Sequence, residues 1–83
     1  MLEKLKNGTK VVGAKQTKRA IRDGQVIEFY YAADADPALW EPIAALCGEQ
    51  GIPAVKVEGM KALGLACSIS VGAAVAALLR ENG

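Results

Sequence analysis

Histidine is absent from this 83-residue chain, and cysteine is scarce. The two cysteines, Cys47 and Cys67, form no CxxC pair, so the usual zinc ligand sets are missing and we predict no metal site. Without histidine, acid–base or nucleophilic catalysis would depend on Asp, Glu, Lys or Cys. Asp34 and Asp36 lie close together, but helix capping is the simpler role for such a pair. We therefore expect no enzymatic activity and no cofactor.

Long apolar runs and nucleotide-binding glycine motifs are also missing. The longest apolar stretch, from Val71 to Leu79, is far shorter than the about 20 residues that cross a bilayer. The stretch from Met1 to Lys10 is charged and lacks the apolar core of a secretory signal. Gly13 and Gly24 belong to no GxGxxG or P-loop pattern. These absences predict a cytoplasmic protein without membrane contacts. Because both cysteines have apolar sequence neighbours, we predict buried free thiols, with a disulfide or metal pair as the alternative.

The composition suits one small packed domain over residues 1–83. Hydrophobic residues make up 52% of the chain and aromatic residues only 5%, which argues against disorder. Much of the apolar content is alanine and valine, residues that allow helices to pack closely on a sheet.

Positive charge is concentrated near the N-terminus, although the whole chain has a net charge of only +1. Before Asp23, only Glu3 opposes a set of basic residues: Lys4, Lys6, Lys10, Lys15, Lys18, Arg19 and Arg22. Such segregation indicates a local site for a polyanion. The alternative is a solvated helix face with no ligand.

Apolar periodicity and turn residues predict alternating helices and strands. The helices are expected near residues 2–7, 15–23, 37–50 and after Gly59, and the strands near 10–12, 26–32, 54–57 and in the tail from Gly72 to Leu79. Alanine in the tail also favours helix, but a sheet needs a central member, so we predict a strand with a short helical or frayed end. The pattern indicates an α/β/α sandwich with a mixed four-stranded sheet.

The third helix shows the clearest helical signals. Asp36 is a good N-cap, and Pro37 fits the first helical position. Apolar residues recur at helical spacing and predict one buried face: Leu39, Trp40, Ile43, Leu46 and Cys47.

Two segments are candidate binding surfaces. The first lies at a strand-to-helix junction, where Gly13 precedes Lys15 and Gln16 in the first turn and Arg19 follows one turn later. Backbone N–H groups at a helix start favour anions, and these side chains add donors. The second is Ile69-Ser70-Val71-Gly72-Ala73, either an exposed apolar loop that supports unstacked bases or a loop that only re-enters the core.

Across nearly its whole length the chain resembles the kink-turn RNA-binding ribosomal protein family of the L7Ae type, in its short bacterial branch. The resemblance rests on the order and spacing of five segments. They are Gly13-Ala14-Lys15-Gln16-Thr17, Ala33-Asp34-Ala35-Asp36-Pro37, Gly51-Ile52-Pro53, Leu63-Gly64-Leu65-Ala66-Cys67 and Ile69-Ser70-Val71-Gly72-Ala73-Ala74.

The resemblance implies a role for each segment. Gly13 would permit close backbone approach to tandem G·A pairs, and Arg19 would take the Lys position of the family's G-x-N-E-x-x-K pattern. Lys15 and Gln16 stand at its Asn and Glu positions; Lys15 donates hydrogen bonds but cannot accept them, whereas Gln16 does both. The loop from Ile69 to Ala73 would pack against the bases of a three-nucleotide bulge.

The sequence thus predicts a monomeric protein that binds and stabilises kink-turn RNA, in ribosomal RNA or a riboswitch. Phosphates would be neutralised by Lys10, Lys15, Lys18 and Arg22. The main alternative is a protein–protein adaptor on the same fold, since fold does not determine function.

Overall fold

The structure, a computed structural model, describes residues 2–81. Helices and strands alternate along this part of the chain as the apolar pattern predicts. The elements are α1 (Glu3–Asn7), β1 (Lys10–Val12), α2 (Ala14–Arg22), β2 (Val26–Ala32), α3 (Pro37–Glu49), β3 (Ala54–Val57), α4 (Met60–Ala66) and β4 (Val75–Leu79).

The strands form one mixed sheet in the order β1-β4-β2-β3. Both β1 and β2 run antiparallel to β4, whereas β3 runs parallel to β2. The C-terminal ends of β1, β2 and β3 therefore meet the start of β4 at one end of the sheet. Val12 is paired with Ala76 there, and Tyr31 is paired with Val75. The predicted mixed four-stranded sheet is confirmed.

The tail is a central strand, as predicted, but it begins at Val75 rather than Gly72. Strand β4 has neighbours on both edges and helices on both faces, so an unbroken apolar run is what it needs. The chain after Leu79 is not helical up to Glu81, and the amide of Arg80 donates to the carbonyl oxygen of Gln25 at 2.8 Å. The rest of the predicted helical or frayed end lies outside the described residues.

Helices cover both faces of the sheet, which confirms the α/β/α sandwich. Helices α1 and α4 pack on one face with Tyr30 and Ala76. Helices α2 and α3 pack on the other face with Phe29 and Val75. Neighbouring residues of β4 alternate between the two cores because successive side chains of a strand point to opposite faces.

A bulge changes the facing of β2 near its start. Val26 is opposite Leu79 and Glu28 is opposite Leu78, so two steps on β2 match one step on β4. Without this irregularity, Val26 would face the same side as Tyr30. The bulge instead turns Val26 toward Phe29, and both are buried in the core beneath α2 and α3.

Helix α3 begins as predicted, and one residue of its predicted buried face, Leu39, points to the surface. The carboxylate of Asp36 accepts a hydrogen bond from the amide of Ala38 at 3.0 Å, and Pro37 follows the cap. The prediction that Leu39 faces the core is wrong, because this side chain is 48% exposed. The other four predicted residues do face the core: Ile43 and Cys47 are buried, and Trp40 and Leu46 are partly buried against them.

Candidate nucleic-acid interface

Gly13 shapes the start of α2. Its φ of 102° lies where side chains with a Cβ are strained, so glycine is required. Its amide donates to the carbonyl oxygen of Val75 at 3.0 Å, and its own carbonyl accepts from the amide of Thr17 at 3.0 Å. The side-chain oxygen of Gln16 lies 3.0 Å from the place that a Cβ of residue 13 would occupy. The backbone at Gly13 therefore carries no side chain, and the side chain of Gln16 lies next to it.

Helix α2 has a buried side and a basic side. Thr17, Ala20 and Ile21 are buried against the sheet. Exposed or partly exposed polar side chains cover the rest of the helix: Lys15, Gln16, Lys18, Arg19 and Arg22. The prediction that Lys15 and Arg19 share an exposed face is confirmed. The strong separation of the two sides explains why a sequence so rich in charge still forms a packed helix.

The basic residues near the N-terminus have two different roles. Lys4 forms an ion pair with Glu28 at 3.4 Å. The ammonium of Lys10 donates to the backbone carbonyls of Lys6 and Gly8 at 3.2 and 3.3 Å, where it satisfies acceptors at the end of α1. Lys10 thus contributes to the cap of α1, and its predicted phosphate contact stays a prediction.

The basic residues of α2 are not engaged in this way. Within residues 2–81, no carboxylate lies within ion-pair distance of Lys15, Lys18, Arg19 or Arg22. Their charge therefore remains available to a ligand on the exposed side of α2.

The loop from Ile69 to Ala73 begins where α4 ends in a Schellman turn. The amides of Ser68 and Ile69 donate to the carbonyls of Leu65 and Gly64, each at 3.0 Å. Ser68 occupies the left-handed position of this motif with φ 61°. The turn reverses the chain and sends the loop out toward the end of the sheet.

Most of this loop is at the surface. Ser70, Val71 and Gly72 are exposed, and Val71 is 68% accessible. Ile69 is half-buried, whereas Ala73 is 4% accessible and packs in the core. Ala73 therefore re-enters the core, and Ile69 packs against the same core from the start of the loop. The amide of Ala73 donates to the carbonyl oxygen of Met60 at 3.0 Å.

Two residues outside the predicted site support the loop. A Cβ on Gly64 would collide with the carbonyl oxygen of Val71, so only glycine lets α4 lie this close to the loop. Asp34 accepts a hydrogen bond from the amide of Met60 at 2.8 Å and holds the start of α4. A glycine inside a helical pattern is the sequence signal that points to such close packing.

The two candidate segments lie at the same end of the sheet. The hydrogen bond from Gly13 to Val75 joins the start of α2 to the residue that opens β4. The carbonyl of Ala74, one residue earlier, accepts from the amide of Ala32 at 2.9 Å. A rigid backbone connection therefore links the basic helix to the exposed loop.

Several titratable side chains are buried away from this surface. Burial raises the pKa of the Cys47 and Cys67 thiols, although the nearby charge of Lys10 opposes the effect at Cys67, and both cysteines are free. The prediction of buried free thiols is confirmed. Among residues 2–81, no group of three His, Cys, Asp or Glu residues could hold a metal ion, and no helix could span a membrane.

The fold and these segments agree with one protein family. A model of the ribosomal protein L7Ae/L30e/S12e/Gadd45 family matches residues 1–83. The chain belongs to this family. It is 46% identical over 76 residues to the RNA-binding protein YbxF of Geobacillus stearothermophilus, covering 92% of this chain and 93% of that protein. An RNA-binding protein of Bacillus pumilus is 44% identical over 69 residues, covering 83% and 84% of the two chains.

A solved structure extends the likeness to a distant member. The Giardia lamblia 15.5kD RNA binding protein superimposes with a TM-score of 0.90 at 29% identity, covering 98% of this chain and 72% of that one. The resemblance to the L7Ae family drawn from the sequence is thus confirmed.

Proposed function

We propose that this protein binds RNA and that it recognises and stabilises kink-turn RNA, in which tandem G·A pairs adjoin a three-nucleotide bulge. The observation that carries the proposal is the hydrogen bond between Gly13 and Val75, which places unpaired cations of α2 and an exposed apolar loop at one end of the sheet. Family membership and the relatives' names as RNA-binding proteins support it.

Each side of the interface has a distinct role in this proposal. The bare backbone at Gly13 lets the RNA approach, while Lys15, Gln16 and Arg19 contact the G·A pairs. Lys18 and Arg22 bind phosphates, as does Lys10, whose ammonium also contacts the backbone carbonyls of Lys6 and Gly8. Contacts to phosphates supply affinity, whereas contacts to base edges supply specificity.

The loop contributes an apolar surface for the bulge. Val71 and Ile69 are accessible enough to touch unstacked bases, and Ser70 offers a hydroxyl beside them. Gly72 adds no side chain to this surface, and the buried Ala73 anchors the loop in the core. Single-stranded bulges expose base faces that duplexes hide, so such a loop selects a bulged RNA.

Binding would shift the RNA toward its bent form. A sharp bend brings phosphates together, which is unfavourable until cations neutralise them. The protein supplies those cations only to the bent RNA, and its differential affinity sets the size of the shift. The target is a kink-turn in ribosomal RNA or a riboswitch, bound in the cytoplasm by a monomer without catalysis.

A protein–protein adaptor is the second candidate, because an exposed valine such as Val71 also suits a protein partner. The two functions differ in their response to salt. RNA affinity falls steeply with ionic strength, whereas association through an apolar loop does not.

Two variants of α2 distinguish recognition of base edges from electrostatic binding to phosphates. Gln16→Ala is expected to cost on the order of 1–3 kcal/mol on a kink-turn and much less on a plain duplex of equal length. Lys18→Ala is expected to weaken both complexes and to lower the slope of log affinity against log salt by about 1. Fluorescence anisotropy with labelled RNAs measures both effects.

The matched control is Lys6→Ala, which removes an exposed cation from α1 on the opposite face of the sheet. It is expected to leave both affinities unchanged. If Gln16→Ala lowers the affinity for the kink-turn and for the plain duplex equally, Gln16 does not recognise the G·A pairs.

A further inference from the structure

Strand β3 lies at an edge of the sheet and pairs only on the side of β2 within residues 2–81. The carbonyl oxygen of Pro53 accepts from the amide of Phe29 at 2.9 Å, and the carbonyl oxygen of Val57 accepts from the residue after β2 at 2.8 Å. The N–H and C=O of one strand residue point to the same edge, and those of the next residue point to the other. The peptide groups of Ala54 and Lys56 therefore point outward, and no other described part of the chain bonds to them.

The two faces of β3 differ in chemistry. Val55 and Val57 pack in the core beneath α1 and α4, whereas Lys56 is exposed on the other face. On the core side, Leu2, Val57 and Glu58 line a largely apolar depression next to the open edge. Among the described residues, no carboxylate lies within ion-pair distance of Lys56. A strand added to β3 would therefore meet apolar groups on one face and an unpaired ammonium on the other.

We propose that the open edge of β3 binds an extended segment of a partner protein, in which an acidic residue stands between two apolar residues. The segment pairs with β3 in the antiparallel orientation and places its acidic residue opposite Lys56. Directly opposite side chains lie on the same face of a sheet, so the carboxylate meets the ammonium of Lys56. The flanking apolar side chains point to the other face, into the depression beside Leu2.

The charge of Lys56 determines which strands can add to this edge. A lysine on an edge strand disfavours pairing with apolar or basic strands, which protects the sheet from nonspecific association. With an acidic residue opposite, the same lysine gains an ion pair. The outward peptide groups of Ala54 and Lys56 supply the main-chain hydrogen bonds, which carry the affinity in this mode of recognition. The edge thus binds through its backbone and selects by charge.

The first test compares two synthetic peptides that differ only at their centre, Val-Glu-Val in one and Val-Lys-Val in the other. Fluorescence anisotropy measures their affinities for the full chain. We expect wild-type protein to bind the glutamate peptide about fivefold or more tightly than the lysine peptide. Lys56→Glu should reverse this order, because the attractive and the repulsive cross-strand pairs exchange.

Lys61→Glu is the matched control for the charge reversal. Lys61 is an exposed lysine of α4, the helix that covers the face of the sheet opposite to the Lys56 side chain. This variant should keep the wild-type preference for the glutamate peptide. Circular dichroism and the urea unfolding midpoint should stay near those of wild type in both variants, because both side chains are exposed.

A second test addresses the main-chain contacts. Ala54→Pro removes the outward N–H of residue 54 and leaves the groups that bond to β2 in place, so the fold should persist. It should weaken binding of the glutamate peptide about three- to tenfold. Methylating the amide nitrogen of the peptide's central glutamate should weaken binding to wild-type protein to a similar extent. That amide would otherwise donate to the carbonyl oxygen of Lys56.

Three results would overturn this assignment. The first is equal affinity of wild-type protein for the two peptides, including no binding of either. The second is a preference that Lys56→Glu leaves unchanged, and the third is full binding of the methylated peptide. Sedimentation velocity tests the competing occupant, a second copy of the chain. A dimer that dissociates in both Lys56→Glu and Ala54→Pro would assign the edge to self-association and would contradict the proposal.

Discussion

The amide of Gly13 donates a hydrogen bond to the carbonyl oxygen of Val75 at 3.0 Å, and this contact joins the two halves of the candidate interface. Gly13 begins the basic helix, and Val75 begins the strand that follows the apolar loop. A change at either residue should therefore affect both the fold and the binding surface.

Gly13→Ala is expected to destabilise the protein by about 1–3 kcal/mol, because alanine is strained at φ 102°. Its Cβ would also press on Gln16 and displace this side chain, so kink-turn affinity should fall as well. Urea unfolding followed by the fluorescence of Trp40 measures the stability.

Gly48→Ala is the control for that change. Gly48 lies in helix α3, has open space where its Cβ would be, and does not have a positive φ. Alanine there should stabilise the protein by about 0.5–1 kcal/mol. If both variants shift the midpoint in the same direction, the strain assigned to position 13 is wrong.

Val71 and Ala73 provide a matched pair within the loop. Val71→Asp should leave the circular dichroism spectrum and the unfolding midpoint near those of wild type, since Val71 is 68% exposed. It should abolish kink-turn binding, because the carboxylate would face both phosphates and apolar bases. Ala73→Asp should instead unfold the domain by burying an unpaired charge.

A folded Val71→Asp protein with wild-type affinity for the kink-turn would exclude the loop from the interface. The segment from Lys15 to Arg19 would then remain as the proposed contact surface.

Trp40 stacks on Tyr31 with ring centroids 4.3 Å apart and an interplanar angle of 22°. Trp40→Ala should cost about 3 kcal/mol, at the lower end of the range for large aromatic residues because this one is only half-buried. Leu39→Ala, next to it on the exposed side, should change the stability by less than about 0.5 kcal/mol. Equal costs at the two positions would mean that the face assigned to α3 is rotated. Chemical denaturation followed by circular dichroism checks the pair.

The stability should decrease at alkaline pH because of Tyr30. Burial, followed by the charge of Glu28 and a hydrogen bond to its carboxylate, raises the pKa of Tyr30 to about 12. Because the folded-state pKa lies above the unfolded value of about 10, folding favours the neutral phenol. This contribution is fully present below pH 10 and is lost as the pH rises through 12.

Tyr30→Phe isolates this contribution, because the variant loses the phenol and keeps every other side chain. Between pH 9 and pH 12, the variant should lose less unfolding free energy than wild type, by about 2–3 kcal/mol. Identical pH profiles for the two proteins would contradict the assignment.

Local signals were sufficient to predict most of the secondary structure. Capping of α3 by Asp36 before Pro37 depends on a few neighbouring residues, which the sequence displays directly. The exposure of Val71 and the accessible basic side of α2 agree with the predicted segments, while their contacts with RNA stay a prediction.

Features that depend on distant residues could not be predicted. The bulge near Val26 depends on how this strand pairs with Leu79, more than 50 residues along the chain. Leu39 is exposed, whereas the adjacent Trp40 stacks on Tyr31 of strand β2. Hydrophobic periodicity describes one helix or strand at a time. It therefore does not predict which side chains of that element pack in the core against the other elements.

The most direct test of RNA recognition compares wild-type binding to two RNAs. One is a kink-turn, and the other has the same length and bulge but Watson–Crick pairs in place of the tandem G·A pairs. We predict at least about tenfold weaker binding to the second RNA, equivalent to about 1.4 kcal/mol, at physiological salt. Equal affinity for the two RNAs would contradict recognition of the kink-turn and leave only general attraction between α2 and phosphates.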